Sequence, residues 1–158
     1  MLTSFLHLLA LVFYVGSAIG LWLSLISCLS VIKDYQEQIK ILVRSLKVYN
    51  PVQTAALGLL VLSGAFQLTD LKAAYREHFI QALGMILGLK LFLAFFLILL
   101  STYQSMGVGH RFVRRIESGE DVSPQEFQST IRRLKSSAIL IVCLAVIIMW
   151  LGLRMRGL

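Results

Sequence analysis

The stretch 79–100, FIQALGMILGLKLFLAFFLILL, constrains this chain more than any other. As a helix it rises about 33 Å, enough to cross a hydrocarbon core of about 30 Å. Its single charge, Lys90, sits near the middle, where inserting an ammonium group costs at least ~2.5–3.5 kcal/mol. Both interfaces are then roughly 15 Å away, beyond the reach of a snorkelling side chain. Lys90 is therefore expected to face a bundle interior, an anion or a neutral polar partner. It is the first candidate for a functional, catalytic group.

Three more apolar runs accompany it. Of 158 residues, 58% are hydrophobic and 15% charged, and the mean hydropathy is +0.80. A soluble domain cannot hide that much apolar surface, so the sequence predicts one integral membrane domain over 1–158. The expected fold is all-α: a four-helix transmembrane bundle with cytoplasmic helical extensions and spans at about 2–31, 51–69, 79–100 and 136–153. The first run lacks a basic n-region and is too long for a signal peptide. The net charge of +7 points to topology and anionic headgroups rather than to nucleic acid, because the basic loops lack interleaved aromatic residues. Cys28 and Cys143 have no CxxC spacing and read as small packing residues, not as a disulfide or zinc site.

Along span one, Gly16, Gly20, Ser24 and Cys28 recur every fourth residue and line one face, the kind of groove that lets helices approach closely in lipid. His7 lies on the opposite face with Tyr14 and Ala18. Residues 33–50 carry a cationic stripe, Lys40, Arg44 and Lys47, with apolar Ile39, Leu42, Val43 and Leu46. They predict an amphipathic extension at the membrane surface that turns into span two near Pro51. The short 70–78 loop makes spans two and three antiparallel neighbours. In span three, Gly84 and Gly88 form a second small-residue step, opposite Lys90. After a polar stretch at 101–123, Ser123-Pro124-Gln125-Glu126 spells a helix start with a capping box, and that helix should run unbroken into span four.

Ten basic residues (Lys33, Lys40, Arg44, Lys47, Arg111, Arg114, Arg115, Arg132, Arg133, Lys135) lie in the two long connections, against Lys72, Arg76, Arg154 and Arg156 on the other side. The positive-inside rule then predicts both termini outside, in a bacterial or archaeal cytoplasmic membrane. On that reading His7 lies roughly 8–10 Å below the outer surface and Lys90 deeper, near the midplane.

An imidazole in an apolar span suits a planar iron porphyrin. The imidazole ligates the iron, apolar walls hold the ring, and basic groups near the headgroups hold the propionates. His7 is the candidate metal ligand. Tyr14 and Lys90 are expected to border the cofactor, and Arg76 and Arg154, with Lys72 and Arg156, to serve the propionates. His78, Met85 and Met149 are the candidates for a second ligand; His110 falls on the far side. Nothing resembles a phosphate loop, a nucleophile with its base, an HExxH helix or a zinc quartet.

Taken together, FLH at the start of span one, Arg44 and Tyr49-Asn50-Pro51 before span two, LSG within it and GLKLFLAF in span three resemble the HemJ and CopD-like group of four-span membrane proteins. Tyr14 stands where that group usually has tryptophan, and Tyr103-Gln104 stands in place of its Tyr-His. HemJ-type proteins are haem-binding protoporphyrinogen oxidases, and CopD-type domains are linked to copper handling. The resemblance implies haem b on His7 and a role for Lys90. The expected function is a membrane haem b protein that transfers electrons with a quinone or a porphyrin-type partner. The alternatives are a HemJ-like oxidase and a CopD-like copper protein. The two small-residue faces predict a homodimer.

Overall fold

The computed structural model describes residues 2–75 and 79–156. Every element in it is helical. α1 (Leu2–Ile19) continues through a π-helical segment, Gly20–Ile26, into the short α2 (Ser27–Leu29). α3 runs from Tyr35 to Tyr75. α4 (Phe79–Thr102) passes through a second π-helical segment, Tyr103–His110, into α5 (Arg111–Glu117), and α6 spans Pro124–Arg156. Four of these helical rods are long and apolar enough to cross a membrane, so this is an integral membrane four-helix bundle. Its outward face is apolar: Phe5, Val12 and Phe13 on α1 and Phe92, Phe95 and Phe96 on α4 are all exposed. Only a lipid solvent makes such a surface stable.

The helices run longer than a bilayer crossing needs. Residues 35–50, expected to turn into span two near Pro51, are continuous with it in one helix of 41 residues, about 60 Å long. Pro51 removes one backbone hydrogen bond, but it sits on the exposed face of α3, while Leu42, Leu46, Gln53 and Ala56 on the other face are buried. Packing on both sides of the break holds the helix together. The polar stretch after span three is likewise helical as far as Glu117, and only a short connection separates α5 from α6.

That connection is built by local chemistry. Ser118 closes α5; Gly119 N donates to Ile116 O (3.1 Å) and Glu120 N to Arg115 O (3.1 Å), a Schellman motif with Gly119 at φ +78°. The expected capping box opens α6: Glu126 N donates to Ser123 Oγ and Ser123 N to Glu126 Oε2, both at 3.3 Å. α6 then runs unbroken, as the sequence predicts.

Two apolar cores result. The first, on the basic side, joins Leu29, Ile39, Leu42, Leu46, Phe112, Phe127 and Leu134. Tyr35 stacks edge-on against Phe127 at 5.4 Å and donates to Val122 O at 2.6 Å. The second lies within the spans and unites all four rods through Tyr14, Ala18, Ala56, Leu57, Leu97, Ile141 and Ala145. In cross-section α1 packs on α3 and α6, and α4 packs chiefly on α6, so α1 and α4 are diagonal.

Candidate functional site

The second core fixes the height of everything above it. Seven residues are two helical turns, a rise of about 10.5 Å that returns to nearly the same face. Counting seven residues from Tyr14, Ala56 or Leu57, Leu97 and Ala145 toward the end that carries the termini reaches His7, Ser63 or Gly64, Lys90 and Gly152. These residues all lie on the side of the second core that carries the termini. Direct contacts join them in two pairs. His7 Nδ1 lies 2.9 Å from Ser63 Oγ, and a Cβ added at Gly64 would meet His7 Cε1 at 3.4 Å. A Cβ added at Gly152 would meet Lys90 Nζ at 3.3 Å. Each polar side chain therefore rests on a neighbouring helix at a glycine, where the backbone comes closest.

Ser63 Oγ also lies 2.6 Å from Leu59 O and 3.1 Å from Leu60 O, so it sits between its own helix backbone and the imidazole. It accepts from Nδ1–H or donates to Nδ1 according to the ring tautomer. Either way the bond orients the ring, as the outer hydrogen bond of a ligating histidine does.

His7 and Lys90 both belong to the half of the bundle that carries the termini. Tyr14, expected to share the site with His7, points to the same interior but lies two turns further down. The candidate second ligands separate as well: Met85 is 89% exposed and Met149 is 46% exposed, so both thioethers face away from the bundle axis. Arg76 and His78 lie outside the described residues. Arg154 stacks over the Trp150 ring at 4.5 Å, just beyond Gly152. His110 is exposed at the opposite end. Cys28 and Cys143 are free thiols, and both are exposed rather than packed within the chain. Among the described residues, no three His, Cys, Asp or Glu side chains converge as a metal cage.

Tyr14 belongs instead to a buried polar layer that sequence reading missed. Tyr14, Gln53 and Gln104 have no exposed surface, and Ser101 has almost none. Gln53 Nε2 donates to Gln104 Oε1 at 3.5 Å, and Gln104 Nε2 donates to Leu134 O at 3.3 Å. One chain of amides thus ties α3, the second π-helical segment and α6. Ser101 and Gln53 border the Tyr14 hydroxyl, and Gln53 also borders Tyr49, yet neither hydroxyl is in hydrogen-bond geometry with them. Tyr14 Oη, Tyr49 Oη, Asn50 Oδ1 and Gln53 Oε1 are all buried without a partner. This layer lies beside a π-helical segment, the kind of backbone irregularity that recurs at functional sites. Gly109 lets α3 close on it: a Cβ there would meet Asn50 Oδ1 at 2.8 Å. The available signal was an amide at 53, between Val52 and Thr54 at the start of span two, and another at 104, between Tyr103 and Ser105 after span three.

No family model, curated protein or solved structure matches the chain.

Proposed function

We propose that the chain is a membrane haem b protein in which His7 is the iron ligand, and that it transfers electrons with a quinone or a porphyrin-type partner. The observation that carries this reading is the His7–Ser63 hydrogen bond at Nδ1, which orients an imidazole set in an apolar span. When bound, haem b supplies a one-electron iron couple. The chain's own residues supply the rest: Ser63 orients the imidazole, Lys90 contributes a positive charge in the same half of the bundle, and Arg154 offers a guanidinium for a propionate at the end of α6. A cation near the porphyrin favours its reduced, more negative state.

The test is the visible spectrum of protein purified in detergent and incubated with haemin. Wild type should show a Soret band, and His7→Ala should lose it. Ser63→Ala should keep the band with roughly 10–100-fold weaker haem affinity. Lys90→Met should retain haem with a reduction potential lower by on the order of tens of millivolts. A colourless wild type that takes up no haemin, or a His7→Ala protein with wild-type haem content, sinks the proposal.

Orientation and assembly belong to the same reading. The basic end of the bundle lies in the cytoplasm and both termini lie outside, in keeping with the distribution of Lys and Arg. The small residues of span one support a twofold dimer, since a Cβ added at Gly16 or Gly20 meets nothing within 4 Å and the chain does not use this face itself. Native mass spectrometry should give a dimer for wild type and a monomer for Gly16→Leu/Gly20→Leu. A monomeric wild type, or a variant that stays dimeric, removes the stripe from this role.

A further inference from the structure

We propose that a groove between α4 and α6, at the basic end of the bundle, binds one anionic phospholipid. Its phosphate would sit on Arg132 and Arg133 and an acyl chain would run along Leu100 and Leu140. The groove is lined by these four residues together with Tyr103, Ser136 and Ser137. Its height is fixed by the Gln104–Leu134 hydrogen bond, which puts the end of α4 level with the arginines. The polarity of the lining changes along its length. Arg132 and Arg133 are exposed, and within two turns α6 becomes the apolar stretch 138–151. That is the headgroup-to-acyl boundary a phospholipid spans.

Charge selects the headgroup. The basic end has compensated cations, Lys47 paired with Glu117 and Arg115 with Glu120 and Glu126. Among the described residues, Arg132 and Arg133 have no carboxylate within ion-pair distance, and Ser136 Oγ has no hydrogen-bond partner. Ser137, next to it, spends its hydroxyl on Arg133 O at 2.8 Å. Two guanidinium groups and a hydroxyl form a donor set that matches phosphate oxygens. Tyr103 closes the rim. Its ring is 49% exposed and lies over Gly107, where an added Cβ would meet Cδ2 at 3.1 Å. An amphipathic ring at the headgroup level suits a bilayer interface. A basic pocket between spans on the cytoplasmic side is a recurrent site for anionic headgroups. This inference does not depend on haem.

The test uses full-length protein in nanodiscs of equal parts palmitoyl-oleoyl phosphatidylglycerol and phosphatidylcholine, released into native mass spectrometry. Wild type should retain phosphatidylglycerol in preference to phosphatidylcholine. Arg132→Gln/Arg133→Gln should lower that retention roughly ten- to thirty-fold, Arg132→Lys/Arg133→Lys should recover part of it, and Arg111→Gln/Arg114→Gln, with the same loss of charge on α5, should leave it unchanged. Equal retention of the two lipids, or equal loss in the two glutamine pairs, overturns the site. Displacement of the lipid by millimolar inorganic phosphate would make the ligand a free anion and overturn the lipid assignment.

Discussion

A serine hydroxyl on the facing helix orients His7. Ser63 Oγ lies within hydrogen-bond distance of both Leu59 O and His7 Nδ1, so it ties the ring to the α3 backbone. The amides two turns below follow a different logic. Gln53 and Gln104 face one another, so removing either one strands the other. Gln104→Leu is expected to cost about 1–3 kcal/mol, and Gln53→Leu a similar amount. The double variant should cost clearly less than the sum, because no orphaned amide remains at that contact. Chemical unfolding in detergent measures all three. Additive losses would show that the two amides do not act as a unit. At this scale the sequence was half legible. His7 and Lys90 stand out because apolar neighbours make any polar group conspicuous. Ser63 does not, since serine is ordinary in membrane helices, and its meaning comes only from the helix opposite.

At the scale of elements, the ends of helices were readable and their lengths were not. The Ser123–Glu126 box is local chemistry and appears where the sequence puts it. The breaks expected at Pro51 and after Leu100 are absent, because tertiary packing overrides a proline on an exposed face and a polar run whose inner face, Val108, Phe112 and Val113, is buried. The turn between α5 and α6 offers two tests. Gly119→Ala puts a Cβ on a residue at φ +78° and should destabilise by about 1 kcal/mol; Ser123→Ala should cost a similar ~1 kcal/mol through loss of the cap. Arg115, hydrogen-bonded to Glu120, holds that carboxyl below the usual carboxylate range. A carboxyl lowered in the folded state stabilises at pH values above its unfolded pKa and loses that contribution as pH falls through the folded one. Glu120→Gln should therefore lower the melting temperature slightly at neutral pH and leave it unchanged in strong acid. A melting temperature lowered equally at both pH values would assign the loss to something other than the charge.

For the whole molecule, the two cores stand for two solvents. The inner one is held among helices whose outer faces are as apolar as their inner ones. The other is sheathed in Arg, Lys and Glu. Hydropathy alone told the number of rods, but which helix each polar side chain meets came from packing. The free cysteines report on this arrangement. Cys28 is exposed at the basic end and Cys143 on the apolar flank of α6. With the basic end in the cytoplasm, a membrane-impermeant maleimide should leave intact cells unlabelled. It should label Cys28, but not Cys143, in inverted vesicles. Labelling of Cys28 in intact cells would reverse the orientation.

One rod carries all three levels. α3 holds Ile39 and Leu42 in the basic-side core, Tyr49, Asn50 and Gln53 in the polar layer, and Ser63 beneath the imidazole. Mechanically it is a beam without a joint, so a load at one end is delivered to the other as tilt or torsion rather than absorbed by a loop. Its stiffness is not uniform. At Pro51 one strut of the hydrogen-bond lattice is missing, beside Asn50 and two residues before Gln53, so bending compliance is concentrated where the buried polar side chains are. The polar layer thus sits at the fulcrum of the beam, with the histidine on one arm and the basic-side core on the other.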